Sequence, residues 1–311
     1  MKEEVCRISE VLNALSPPVR ALLSPHSELL SRSATEIRLR AERPLVIVFQ
    51  EDKLFVSVSG RLTERDKDAY FATGKDISDT VGRICDYSIY NRQAEISNGF
   101  ITIKGGHRAG ICGTAVYDSG AIINLRDISS LNLRIARAVL GCAEEILCRG
   151  RELAGTLICG EPASGKTTVL RDAARILSLD KKRSVSLIDE RRELAACVNG
   201  IPQFDVGLSD VFDGYKKSDA MNHALRTMSP DYILCDEIGS PEDSEAIKTL
   251  VNCGVKVIAT AHAKSADELR SKPYLRELLD MGVFENIVFL KSRQNAGKAE
   301  KTVKVGDLYA A

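Results

Sequence analysis

The sequence contains no tryptophan, only 5% aromatic residues and no net charge, since 43 lysines and arginines offset 43 aspartates and glutamates. A balanced charge supplies no long-range field for nucleic acid or an anionic membrane, so either contact would need a local patch. No basic stripe carries interleaved aromatics, which removes the usual platform for stacking single-stranded bases. Cysteine is present at Cys6, Cys85, Cys112, Cys142, Cys148, Cys159, Cys197, Cys235 and Cys253, but never as a C-x-x-C pair, which argues against zinc ligation. Several of the nine lie inside apolar runs such as Leu157-Ile158-Cys159 and Ile233-Leu234-Cys235. There a reduced cysteine behaves as a small core residue, and the expected compartment is the reducing cytoplasm. No segment reaches the length of an apolar membrane-spanning helix, and the opening Met-Lys-Glu-Glu-Val-Cys-Arg lacks the apolar stretch of a signal peptide. Any work at a membrane is expected to be peripheral, through partners.

What is present describes a folded protein. With 311 residues, 44% apolar and 28% charged, the chain can close two cores of ordinary size. Residues 4 to 30 read as two helices broken at Pro17-Pro18, followed by strands at Glu36 to Arg40 and Leu45 to Phe49. Helical spacing returns over Asp76 to Ile96, and Asn98-Gly99 marks a turn before a strand at Phe100 to Ile103. The glycine-rich turn Gly105 to Gly110 leads to a strand at Ile111 to Tyr117, and Asp118-Ser119-Gly120 turns into a third apolar run, Ala121 to Leu125. This is an α+β module with an antiparallel sheet. Ser129 to Arg137 reads as a linker, which puts the domains at 1–135 and 136–311.

Beyond Ala138 helices alternate with continuous apolar runs, the pattern of a parallel sheet covered on both faces. Strands are expected at Thr156 to Cys159, Ser184 to Ile188, Tyr232 to Cys235, Val255 to Thr260 and Ile287 to Leu290, with helices in the gaps and a charged loop or hairpin at Gly297 to Lys304. The fold class is therefore α/β, a RecA-like P-loop nucleotide triphosphatase domain preceded by the smaller α+β domain.

The chemistry concentrates in that second half. Gly160-Glu161-Pro162-Ala163-Ser164-Gly165-Lys166-Thr167 matches G-x-x-x-x-G-K-[ST], with an apolar strand entering and a helix beginning through Thr168 leaving. Such a loop turns backbone N–H groups onto phosphate oxygens. Lys166 would bridge the β- and γ-phosphates of ATP, and the Thr167 hydroxyl would ligate Mg²⁺. The run Asp231-Tyr232-Ile233-Leu234-Cys235-Asp236-Glu237 ends a buried strand in two carboxylates. Asp236 is placed to hold the metal through water and Glu237 to polarise the attacking water. A second acidic cluster, Ile188-Asp189-Glu190-Arg191-Arg192-Glu193, reads either as a solvated loop or as the source of another water-orienting carboxylate, Glu190 or Glu193. In Thr260-Ala261-His262, the His262 side chain could sense the γ-phosphate.

These pieces in this order resemble the secretion ATPase superfamily, the motors of type II and type IV secretion and pilus retraction, box by box. One position departs from it: Asp236 stands where those motors commonly have glycine. The resemblance is stronger to the sporulation branch, the stage III sporulation protein AA family. It is carried by Glu36-Ile37-Arg38-Leu39-Arg40, Tyr87-Ser88-Ile89-Tyr90, Asn98-Gly99-Phe100-Ile101-Thr102, Gly105-Gly106-His107-Arg108-Ala109-Gly110, Leu131 to Arg137, Asp189-Glu190-Arg191 and Asp236-Glu237-Ile238-Gly239. The resemblance implies a hexameric ring ATPase in the mother cell of an endospore former, serving a channel to the forespore together with membrane proteins. An arginine from another domain or subunit often completes such a site, and Arg108, Arg134 and Arg137 are the candidates. The competing reading is an ATP-modulated single-strand-binding protein, which the charge balance and the shortage of aromatics oppose. A GTPase would need an Asn-Lys-x-Asp base-reading motif, which is absent.

Overall fold

The computed structural model describes residues 3–50, 52–147, 154–180, 182–291 and 296–308, and all their side chains except those of Glu3, Asn91, Glu145 and Leu308; Cys148 lies outside the described residues. The chain divides into two compact units, Val5–Ala138 and one made of the residues up to Glu4 together with those from Val139 onward.

The first unit opens with three short helices, Ile8–Ala14, Pro17–Leu23 and Ser27–Ser33, where two were expected. Pro17 opens the second helix rather than merely breaking the first, because the first helical position needs no N–H. The sheet strands are β1 (Glu36–Arg40), β2 (Val46–Val48), β3 (Lys53–Val56), β4 (Leu62–Thr63), β5 (Phe100–Ile103), β6 (His107–Asp118) and β7 (Ala121–Arg134), in the spatial order β4-β3-β2-β1-β7-β6-β5. Every neighbouring pair is antiparallel. Helix Gly74–Ile84, started by a reciprocal capping box between Thr73 and Asp76, buries Ile77, Val81 and Ile84 in the same core.

Two expectations fail in this unit. Ser129 to Arg134 is no linker: it is the end of β7, paired with both β1 and β6, because alternate residues Leu131 and Leu133 enter the core. The glycine-rich turn is also shorter than expected. Only Lys104–Gly106 turns, with Gly105 and Gly106 at φ 82° and 79°, and His107 already starts β6.

The second unit holds β8 (Thr156–Cys159), β9 (Val185–Asp189), β10 (Asp210–Asp213), β11 (Tyr232–Cys235), β12 (Lys256–Ala261), β13 (Asn286–Leu290) and β14 (Ala299–Lys304), ordered β10-β9-β11-β12-β8-β13-β14. All pairs are parallel except the antiparallel edge β13–β14, so the sheet is mixed rather than wholly parallel. Side chains alternate between two cores. Leu157, Ile233, Val257 and Ile287 join one, and Ile158, Leu234, Ile258 and Val288 the other, which explains the unbroken apolar runs. The segment between β9 and β10 forms no helix, although it buries Leu194, Ala195, Ala196, Cys197 and Val198.

Candidate functional site

The candidate site lies at the carboxyl ends of the central parallel strands, where β8, β9, β11 and β12 each deliver part of it. Strand β8 runs out at Cys159 and the chain turns through residues 160–165 into helix Lys166–Ser178. Two of its glycines are required by space. A Cβ on Gly160 would come within 2.5 Å of Ser164 Oγ, and one on Gly165, at φ 89°, within 2.6 Å of the Gly297 backbone nitrogen. That nitrogen donates to the Ser164 carbonyl at 2.8 Å, so Gly297, just before β14, abuts the loop. Ser164 is fully buried and its hydroxyl has no hydrogen-bond partner among the described residues.

Lys166, at the first helical position, is only 8% exposed. Its ammonium donates to the carbonyls of Gly160 at 2.9 Å and Glu161 at 2.8 Å and to His262 Nδ1 at 3.1 Å. Burial draws it below its ordinary pKa against the pull of Glu237. Accepting at Nδ1 leaves the His262 proton on Nε2, which faces Glu237 Oε2 at 3.5 Å. Arg191 approaches the same carboxylate oxygen at 3.4 Å. The lysine of the loop, the histidine after β12 and the glutamate after β11 thus form one chain of contacts. Cys159, just before the loop, is pushed up to about 12 by burial, so its thiol is inert core.

Asp236 is buried, and its Oδ1 lies 3.1 Å from Lys217, whose ammonium also meets Glu190 Oε2 at 2.9 Å. Burial works against the Lys217 charge, but Asp236 and the bond to Glu190 outweigh it and hold the ammonium above its usual range. Lys217 was not singled out in the sequence. A lysine pair opening a helix reads as solvated, and only the tertiary fold places it between carboxylates 27 and 19 residues away on either side. Glu190 and Glu193 are now distinguishable in place. Glu190 reaches Lys217, whereas Glu193 is exposed, its N–H donating to Asp189 and its carbonyl accepting from Arg171.

Asp189 itself, fully buried, organises that loop. Its carboxylate accepts four backbone N–H groups, from Glu193, Leu194, Ala195 and Ala196, at 2.7–3.1 Å. Helix Lys166–Ser178 grips the loop from its other side, through Arg171 donating to the Glu193 and Leu194 carbonyls and lying over the Phe204 ring. This is why the segment needs no helix: its buried N–H groups are satisfied by one side chain.

The outer parts of the loop are open. Pro162 and Ala163 are exposed, Thr167 and Thr168 half-buried, and Glu161 pairs with Lys264 at 2.7 Å. A nucleotide fits the features of this loop: a cradle that two glycines keep clear, an unpaired buried hydroxyl and a lysine already turned onto the loop. Thr167 and Asp236 offer the oxygen donors a magnesium ion selects, although Asp236 already contacts an ammonium. The three arginines belong to the first unit. Arg108, half-buried on β6, lies over Phe100 at 4.0 Å and pairs across strands with the exposed Arg134 of β7. Arg137 donates to the carbonyls of Leu30, Ser31 and Ala34, closing the end of helix Ser27–Ser33.

Known proteins share this fold. The X-ray structure of the Legionella pneumophila ATPase DotB matches with a TM-score of 0.59 at 17% identity, covering 94% of this chain and 84% of that one. The pilus retraction motor PilT with bound ADP matches with a TM-score of 0.58 at 18% identity, over 86% of this chain and 77% of that one. At such identities the likeness establishes the fold. "Stage III sporulation protein AA" of Bacillus subtilis (strain 168) is 34% identical over 297 residues, 93% of each chain. Residues 5–304 match the family described as Sporulation stage III, protein AA, and to that family this chain belongs.

Proposed function

We propose that the chain is a Mg²⁺-dependent ATPase that works as a self-associating motor during endospore formation. The observation that carries the reading is the contact chain from Lys166 through His262 to Glu237, built on a glycine-cleared phosphate loop. In this reading the loop N–H groups and Lys166 hold the β- and γ-phosphates, while Glu237 accepts a hydrogen bond from the attacking water and orients it. His262, between them, responds to the γ-phosphate. Thr167, and Asp236 through water, would hold the magnesium ion, which supplies charge neutralisation at the phosphates when bound. Residues 1–135 would form the domain delivering an arginine and 136–311 the ATPase domain.

The family membership supports a place in the mother-cell cytoplasm, with membrane proteins of a channel to the forespore as partners and a ring, six-fold by analogy with secretion motors, as the working form. The direct test is ATP turnover by folded protein. Lys166→Ala should abolish hydrolysis and weaken triphosphate binding, because it removes the charge that holds the phosphates. Turnover like that of the wild type would remove the proposal.

A further inference from the structure

Lys217 occupies an unusual place for a lysine. It is the first residue of helix Lys217–Thr227 and is 4% exposed. A cation at a helix N-terminus opposes the helix dipole, and a buried ammonium needs full compensation. Both costs are met by Glu190 at the end of β9 and Asp236 at the end of β11, at 2.9 and 3.1 Å. The chain is steered to that point by Gly214, at φ 73°, whose N–H donates to the Asp189 carbonyl at 3.0 Å. Without Lys217, two carboxylates from neighbouring strands would face one another with Asp236 only 7% exposed. That arrangement of hard oxygen donors attracts a divalent cation.

We propose that Lys217 is a tethered cation that closes the acidic pocket between Glu190 and Asp236 to free divalent ions, so that metal enters the site only together with a nucleotide. A metal arriving on a triphosphate brings phosphate oxygens and waters with it, and needs only one or two protein ligands. It can therefore use Thr167 directly and Asp236 through water while the ammonium stays in place. A free ion would have to displace Lys217 to gain enough oxygens. The second step rests on the ATPase reading; the exclusion of free ions does not.

The test uses the full chain without nucleotide. Mn²⁺ binding is followed by electron paramagnetic resonance, and melting temperature is compared in EDTA and in millimolar Mg²⁺. Wild type should bind Mn²⁺ weakly and melt at the same temperature in both. Lys217→Met should melt lower in EDTA, recover in Mg²⁺, and bind Mn²⁺ at least about tenfold more tightly, since an elementary charge at contact distance is removed. Lys217→Gln, which keeps an N–H₂ donor and is milder for folding, should show the same direction. Adding Glu190→Gln to either variant should cancel the gain. Wild type binding Mn²⁺ as tightly as the variants overturns the proposal. So does a gain that survives Glu190→Gln, or variants that lose stability and regain none in Mg²⁺. Insolubility of both variants with and without Mg²⁺ also overturns it, because a divalent ion then cannot take the place of the ammonium. Absence of ATP turnover in the wild type would defeat the ATPase reading and leave these results unchanged.

Discussion

Replacing Asp189 by asparagine tests whether the loop carrying Glu190 is held by one buried carboxylate. The side chain is fully buried and accepts four backbone N–H groups, two on each oxygen. Asparagine keeps one acceptor oxygen and turns an N–H₂ group onto the other two N–H donors. Two hydrogen bonds to a charged acceptor are lost, and two buried donors are left facing a donor, a change costing about 3–5 kcal/mol. For a unit of this size each kcal/mol lowers the melting temperature by roughly 2–4 °C, so a fall of about 10 °C is expected. Calorimetry of wild type and Asp189→Asn at neutral pH measures it directly. Turnover should fall as well, because the loop that carries Glu190 would lose two of the four hydrogen bonds by which Asp189 holds it. A shift below about 2 °C would refute the reasoning and return the loop to a solvated, loosely held segment.

Glu237→Gln should bind ATP but not cleave it, since the shape survives and the acceptor for water is lost; binding that falls together with turnover would make Glu237 structural. Specific activity of the wild type should rise with protein concentration. Arg108→Ala or Arg134→Ala should lose that rise while still binding ATP, an arginine finger being worth about 10³–10⁵ in kcat. A flat wild-type curve rejects self-association as a requirement. Arg137→Ala should instead lower the melting temperature, because three helix-end carbonyls lose their donor. Burial pulls His107 down to about 4, below the ordinary value near 6.5, so between these values the unfolded chain binds a proton that the folded unit refuses. Stability is therefore full above about pH 6.5 and is lost as the pH falls toward 4, by up to about 3 kcal/mol. Melting temperature against pH for wild type and His107→Gln should diverge in that window, and superimposable curves would count against it.

The parts of the site visible in the sequence are those set by short-range pattern. The phosphate loop announces itself because glycine, lysine and threonine must stand at fixed offsets between a strand and a helix, and Asp236-Glu237 and His262 are marked by the ends of buried strands. Lys217, Arg171 and Gly297 were not legible, because their partners lie 19 to 133 residues away and no local rule singles them out. The same holds for the fold. Unbroken apolar runs reveal five of the seven strands of the second unit, but the edge strands β10 and β14 are short or charged and carry no such run. The extent of β7 was hidden because the mostly polar run Arg126 to Ser130 separates its apolar start, Ala121 to Leu125, from the alternating Leu131 and Leu133 that enter the core.

The near contact between Gly165 and Gly297 ties the nucleotide loop to a hairpin far along the chain. A side chain at position 165 would strike the Gly297 backbone at 2.6 Å, and Gly297 sits at φ 72°, where a larger residue strains the chain. The two positions therefore act as one constraint, although only the first belongs to a nucleotide-binding motif. Changes tolerated in one background at the hairpin would become intolerable in another, so mutational effects there should be strongly non-additive with those in the loop. If the loop binds ATP as proposed, tags or insertions beside Gly297 would disturb that binding without replacing any residue of the nucleotide-binding motif.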